Sequence, residues 1–341
     1  MIILYTLGLL ACFILLARIV DLFFIASLDK ISKDLHLSSD AAGATLMAVG
    51  SSAPELFVAL FSIFKPGNHQ VIGIGSIVGS AIFNLLVIVG IAALVRKTRL
   101  TWQPAVRDLF FYTISVALLV WFIKDGHFTL SEAGIFISVY LVYVIAVVYW
   151  KKLLPYDDNS YTKRKDNKKK RGVIALFDRL LYFIFPNKKY YYLVFLISIL
   201  IIAGLSWALV ELAVVISHIL NIPEAIIALT VLAVGTSVPD LISSVIVARE
   251  GRGDMAVSNA IGSNIFDILV GLGLPMSIFI LISGNFVSSN GELTSSAVIL
   301  FGSVIFLLAW LLFSKWRIGR ITGVFLVSIY IFYVIREIIL L

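Results

Sequence analysis

The sequence predicts an all-α polytopic membrane protein of ten transmembrane helices, arranged as two inverted repeats of five. Three observations carry this: apolar runs of about 20 residues recur from end to end, a polar block occurs twice within them, and basic residues favour alternate loops. Of 341 residues, 60% are hydrophobic and 14% charged, with a mean hydropathy of +1.04. Soluble chains carry roughly a quarter charged residues, so a soluble single-core protein is excluded.

Apolar runs measured against the roughly 20 residues needed to cross hydrocarbon place spans near 3–27, 40–64, 70–95, 105–124, 131–150, 190–219, 224–248, 254–281, 293–314 and 319–339. The first has no basic n-region and too long an apolar core for a signal peptide, so it reads as a retained helix. The chain then divides into a first five-helix repeat at 1–150, a linker at 151–189 and a second repeat at 190–341. One cysteine, Cys12, lies in an apolar run and builds neither a disulfide framework nor a thiolate site.

The net charge of +7 is local, because residues 151–189 alone hold 12 Lys/Arg against 4 Asp/Glu. The run from Lys163 to Arg171 places this linker in the cytoplasm, attracted to anionic lipid, and leaves both termini outside the cell membrane. It has no nucleic-acid reading, and no obligatory protein partner is evident. Assigning Lys30, Lys33, Arg96, Lys97, Arg99, Arg107, Arg249, Arg252, Lys315, Arg317 and Arg320 to inside loops puts 23 of 27 basic residues on one side. Only Lys65, Lys124 and Arg336 fall outside, with Arg18 inside the first span. Asp157 to Ser160 lack the spacing and glycine of an EF-hand loop. The apolar stretch from Val173 to Phe185 is too short to span, so it lies in the interface or extends helix six.

Self-comparison finds TLMAVGSSAPE at Thr45 to Glu55 and TVLAVGTSVPD at Thr230 to Asp240. A second block follows in each half, GSAIFN at Gly79 to Asn84 and GSNIFD at Gly262 to Asp267. Five spans per half is an odd number, so equivalent helices cross the membrane in opposite directions. Inverted repeats of this kind place a site at the midplane between the halves, with alternating access.

Glu55 and Asp240 fall near the middle of helices two and seven, where an ionised carboxylate costs at least ~2.5–3.5 kcal/mol without a partner. Helices two, three, seven and eight supply no interior basic residue, so a cation is called for. Pro54 and Pro239 lack an N–H, which frees the carbonyls of Gly50 and Gly235 and predicts a break in each helix. Such carbonyls are ion ligands in transporters. Ala48, Ser51, Ser52 and Glu55 share one stripe, repeated by Ala233, Thr236, Ser237 and Asp240. Ser80 with Asn84, and Ser263 with Asp267, are i, i+4 pairs; Asn264 is a further candidate ligand. These oxygen donors suit Ca²⁺, with Na⁺ as a hard competitor, and lack the imidazole and thiolate of a transition-metal site. No cofactor is implied.

The remaining polar residues read more plainly. Glu211 is either a pathway residue or a locally hydrogen-bonded one. Gly73, Gly75 and Ser76 mark close helix approach. His36, His69, His127 and His218 sit at span ends or in loops as solvated residues, and the Arg252-Gly253-Asp254 tripeptide faces the cytoplasm.

In both repeats the sequence resembles the cation/calcium exchanger superfamily, whose two alpha-repeats carry a G-[ST]-S-x-P-[ED] block followed by G-S-x-x-x-[ND]. GSSAPELF, GSAIFN and GDMAVSNAIGSNIFDILVGLGLP are most similar to its potassium-dependent Na⁺/Ca²⁺ exchangers. The resemblance implies antiport of Ca²⁺ against Na⁺, with Glu55 and Asp240 as central ligands. It also implies assistance from Ala48, Ser51, Ser52, Ser80, Asn84, Ala233, Thr236, Ser237, Ser263 and Asp267. Asp267 matches the aspartate associated with K⁺ dependence, which makes K⁺ a further candidate ion. The linker is far shorter than the regulatory loop of animal exchangers, so Ca²⁺ regulation there is not implied. A H⁺/Ca²⁺ exchanger of the same superfamily is the nearest alternative. A cation channel or an intramembrane protease would share the carboxylates, but the inverted repeat argues against both.

Overall fold

The computed structural model describes residues 2–35, 48–124, 126–154, 178, 181–183, 185–187, 189–249, 251, 253–284, 287–288 and 291–339. Its helices are α1 (Ile2–Asp34), α2 in two pieces (Ala48–Ser51 and Ala53–Phe64), α3 (Gln70–Val95), α4 (Trp102–Ile123) and α5 (Leu130–Leu153). The later ones are α6 (Tyr191–Leu220), α7 (Glu224–Arg249), α8 (Gly253–Ser283), α9 (Gly291–Phe313) and α10 (Arg320–Ile339). Among the described residues, nine are long and apolar enough to cross a membrane. The described part of α2 is shorter; the first residues of the predicted second span, 40–47, lie outside the described residues, as do His36, Arg252 and linker positions 155–177.

Local chemistry sets several ends. Thr129 caps α5, its Oγ1 accepting from Glu132 N at 3.3 Å while Glu132 Oε2 accepts from Thr129 N at 2.7 Å. Gly284, at φ 68°, closes α8 in the left-handed conformation that glycine adopts without strain.

α3 is the central helix, buried at every position from Gln70 to Phe83. Small residues let its neighbours close on it, as expected of Gly73 and Gly75. A Cβ on Gly73 would stand 2.8 Å from Ala59 Cα of α2, and one on Gly79 would stand 2.4 Å from the Leu229 carbonyl of α7. The largest apolar cluster joins α3, α4, α5, α8, α9 and α10. A second joins α1 and α6 to faces of α2 and α7, with Leu181 and Phe185 of the linker added. Trp121, Phe313, Ile321 and Phe332 are exposed on the outer helices, as lipid-facing side chains would be.

Four short strands tie the loops together. β1 (Thr98–Arg99) pairs antiparallel with β4 (Arg317–Ile318), and β2 (His127–Phe128) with β3 (Val287–Ser288). Each pair joins the first five helices to the last five.

Some polar residues sit differently from expectation. Arg107, assigned above to a loop, is fully buried within α4 because Asp108 neutralises it: Nε donates to Asp108 Oδ1 at 2.8 Å. Tyr143 of α5 and Ser258 of α8 also donate to that carboxylate, each at 3.2 Å. Arg18 pairs with Asp178 of the linker, which explains a basic residue inside α1. Glu211 takes the local reading, bonded by Lys65 Nζ at 2.5 Å. His69 is not freely solvated; its Nδ1 lies 2.8 Å from Glu224 Oε1.

A candidate cation site between α2, α3, α7 and α8

The duplicated blocks meet where α2 and α3 cross α7 and α8. α2 is interrupted at Ser52 (φ −95°, ψ 5°), and Pro54 opens the following piece. With no N–H at Pro54, the Gly50 carbonyl loses its helical donor. α7 departs from the expected break: its helix runs unbroken through Pro239. In the turn ahead of that proline, Thr236 Oγ1 bonds back to Leu232 O at 3.1 Å and Ala233 O at 3.4 Å. The matching hydroxyl in α2 also bonds back, Ser51 Oγ to Ala48 O at 3.4 Å, and it lies 3.2 Å from Ser263 Oγ of the other half. Gly50 and Gly235 are both covered by α1. A Cβ on Gly50 would meet Leu28 Cδ1 at 2.7 Å, and one on Gly235 would meet the Phe13 ring at 2.1 Å.

Glu55, Asp240 and Asp267 are all buried, at 3%, 7% and 1% exposure, and among the described residues none is in an ion pair. They are near enough to act on one another electrostatically. Each has a hydroxyl nearby: Thr236 beside Glu55, Ser263 beside Asp240 and Ser52 beside Asp267. Among the described residues no three acids, histidines or cysteines converge as a chelating group. The donor set is therefore mixed, carboxylate oxygens interleaved with hydroxyl and carbonyl oxygens.

Eight buried polar side-chain atoms have no hydrogen-bond partner among the described residues. Five belong to the expected ligands, and all five are oxygens: Ser52 Oγ, Glu55 Oε2, Asn84 Oδ1, Ser237 Oγ and Asp267 Oδ1. Leaving one such group buried and unpaired costs about 1–3 kcal/mol, so a cluster of five calls for an explanation. Ser80 Oγ and Ser263 Oγ donate to Ile77 O and Asn259 O, each at 3.0 Å, which turns their lone pairs outward from those turns. Ala48 and Ala233 are buried and contribute only backbone carbonyls.

Asn264 differs from its expectation as a ligand, because its amide is already engaged. Its Oδ1 accepts from Asn84 Nδ2 at 2.9 Å, and its Nδ2 donates to Ala81 O at 3.1 Å and to Tyr112 OH at 2.9 Å. It thereby holds Asn84 with Oδ1 free. Asn84 and Asp267 each begin a π-helical turn, Asn84–Ile88 and Asp267–Leu272, a device that recurs at functional sites.

Tyr112 was not legible as part of this site, and another sequence signal was missed. SVYLVYVI at 138–145 in α5 returns as SIYIFYVI at 328–335 in α10, extending the repeat. The first tyrosines of these motifs pack across the halves: Tyr140 on Phe266 at 5.6 Å and Tyr330 on Phe83 at 5.5 Å, both edge-on at 75°.

Comparison with known proteins adds to this geometry. The model of the family "Sodium/calcium exchanger protein" matches residues 4–149 and 190–338. Sodium/potassium/calcium exchanger 4 of Mus musculus is 28% identical over 96% of this chain and 80% of its own length. Sodium/potassium/calcium exchanger 5 of Homo sapiens is 32% identical over 95% and 80%. A structure of the sodium-calcium exchanger NCX_Mj, soaked with Na⁺ and Sr²⁺, superposes with a TM-score of 0.61 at 25% identity, covering 97% of this chain and 98% of that one. The H⁺/Ca²⁺ exchanger CAX shares the fold, with a TM-score of 0.70 at 14% identity over 98% and 80%. With the family model matching most of its length, this chain belongs to the sodium/calcium exchanger family of membrane transport proteins.

Proposed function

We propose that the protein is a secondary antiporter that exchanges Ca²⁺ for Na⁺ by alternating access at the site between α2, α3, α7 and α8. Five unpaired buried oxygens, two of them on the three acids that have no basic partner among the described residues, carry the reading. Glu55 and Asp240 act as the central ligands. Ser51, Ser52, Ser80, Asn84, Thr236, Ser237, Ser263, Asp267 and the carbonyls of Ala48, Gly50, Ala233 and Gly235 complete the ion's surroundings. Family membership and the NCX_Mj likeness support Na⁺ as the counter-ion. The names of the exchanger 4 and exchanger 5 relatives, together with Asp267, support K⁺ as a cotransported ion.

Electrostatics supplies the coupling. Three ionised acids resist occlusion in low dielectric, whereas Ca²⁺ or several monovalent ions neutralise them and permit the switch. Each net charge moved in a cycle feels ~2.3 kcal/mol per 100 mV, so voltage adds to the Na⁺ gradient in driving Ca²⁺ out.

Two five-helix repeats of opposite orientation would make the two access states structural counterparts. The two separate segments matched by the family model support this division, and so do the strand pairs. In a ten-span chain the α3–α4 and α9–α10 loops share one face, and the α4–α5 and α8–α9 loops share the other, as β1 with β4 and β2 with β3 require. Linker 151–189 would then be cytoplasmic and bound to anionic lipid, with both termini outside the cell membrane.

The test is uptake of radiolabelled Ca²⁺ into vesicles loaded with Na⁺, with K⁺ and pH gradients imposed separately. Uptake driven by an outward Na⁺ gradient is expected. Uptake indifferent to Na⁺ and driven by pH alone would replace Na⁺ coupling with H⁺ coupling.

A further inference from the structure

Residues 96–100, between α3 and α4, stitch three loops into one surface. The Arg96 guanidinium lies over Gly251 of the α7–α8 loop, where an added Cβ would stand 2.8 Å from Nη1. The Lys97 stem runs along Gly319 of the α9–α10 loop, 3.6 Å from the place of its missing Cβ. Leu100 N donates to Trp316 O at 2.8 Å, and the register of β1 on β4 sets Arg99 directly opposite Arg317.

That register is the informative detail. Directly opposed residues of an antiparallel pair project to the same face, and like charges there destabilise the pairing. A topological preference for basic residues needs only that each loop be basic; it does not ask two arginines to face each other across a strand pair that joins the two halves of the chain. Arg96, Lys97, Arg99, Lys315, Arg317 and Arg320 are all exposed, and among the described residues no ion pair includes any of them. Asp254, in the first turn of α8, joins none of them in an ion pair among the described residues.

Tryptophans place this surface at the membrane boundary. Trp102 begins α4 and is 47% exposed, Trp150 at the end of α5 donates Nε1 to Gln103 O at 2.9 Å, and Trp316 is half-buried beside β4. Indoles collect at the headgroup level. A basic surface there, with two arginines directly opposed, is complementary to a phosphodiester rather than to a soluble acidic protein.

We infer that the paired β1 and β4 loops form a binding site for an anionic phospholipid headgroup, whose phosphate bridges Arg99 and Arg317 and so ties the α3–α4 loop to the α9–α10 loop. The site is distinct from linker 151–189 and does not depend on which ions the protein exchanges.

The experiment titrates phosphatidylglycerol or phosphatidylcholine into the purified full-length chain in a neutral detergent, counts bound lipid by native mass spectrometry, and follows the thermal unfolding midpoint. Phosphatidylglycerol is expected to bind and to raise the midpoint, and phosphatidylcholine to do neither. Neutralising the pair in R99Q/R317Q should weaken phosphatidylglycerol binding about fivefold per arginine, the equivalent of ~1 kcal/mol for each basic residue at a membrane surface. The single variant R317Q should give an intermediate loss. A linker variant, K168Q/K169Q/K170Q, should keep the R99- and R317-dependent binding. Unchanged binding in R99Q/R317Q, loss of that binding in the linker variant, or an equal rise in midpoint with inorganic phosphate would each overturn the headgroup site.

Discussion

Asn264→Ala tests whether this side chain serves the ion site through Asn84. The substitution removes three hydrogen bonds, to Asn84 Nδ2 at 2.9 Å, Ala81 O at 3.1 Å and Tyr112 OH at 2.9 Å. Tyr112 OH lies 3.5 Å from Ala81 O and can close on that carbonyl, so two of the three stranded groups partly satisfy each other. Asn84 Nδ2 has no such recourse. One buried unpaired amide together with the lost bonds predicts a destabilisation of about 2–3 kcal/mol. The functional effect comes from orientation: an unrestrained Asn84 can turn its NH₂ toward the cation in place of Oδ1. Loss of one neutral oxygen ligand, worth about 1.4 kcal/mol, raises the half-saturating Ca²⁺ concentration about tenfold. The assay is Ca²⁺-dependent uptake into Na⁺-loaded vesicles for Asn264→Ala, Asn84→Ala and the double variant. If Asn264 acts through Asn84, the double variant should match Asn84→Ala within about 0.5 kcal/mol. Additive losses, or an unchanged Ca²⁺ dependence in Asn264→Ala, would refute the positioning role.

Asp240→Asn should abolish Ca²⁺ transport while the protein still elutes as a single species on size exclusion; transport at the original rate would remove Asp240 from the site. Gly235→Ala forces a methyl to within 2.1 Å of the Phe13 ring and should lower the unfolding midpoint, with Phe13→Ala in the same chain recovering part of the loss. A Gly235→Ala defect that persists equally beside Phe13→Ala would place the strain elsewhere. Arg107→Ala leaves Asp108 with hydroxyl partners in place of a cation and should cost about 3–5 kcal/mol, read as a lower melting temperature, with Asp108→Asn on the same background restoring stability.

The sequence reached the proposed ligands better than the packing around them. Glu55, Asp240, Asn84 and Asp267 stood out because a buried acid or amide in an apolar run is costly and because each sits in a duplicated block. The unequal helices behind them were hidden, since Pro54 and Pro239 impose the same local loss. Both neighbouring hydroxyls bond back to their own helices, and what distinguishes Ser51 is its added approach to Ser263 at 3.2 Å. Asn264 looked like a ligand because composition counts donors and acceptors but not which are already engaged. Arg107 looked like a loop residue because hydropathy places a charge at the nearest span end; its neighbour Asp108 is plain in the sequence, but only the packing of α4 on α5 and α8 brings Tyr143 and Ser258 onto that carboxylate. The tyrosine motifs of α5 and α10 were open to the same self-comparison as the other blocks, but their apolar neighbours made them blend into the surrounding helix.

The aromatic contacts across the halves bear on how the chain is made. Phe83 enters the bilayer with the third helix, yet the ring it packs against, Tyr330, belongs to the last. During synthesis α3 therefore spends almost the whole time of insertion with that flank facing lipid or a holding factor, and its native neighbour arrives at the end. Tyr140 waits less, for Phe266 in α8. Contacts this distant in sequence are slow to form because a long loop must close before any of them is rewarded. A chain cut off before α10 would thus leave the central helix without the wall that Tyr330 supplies.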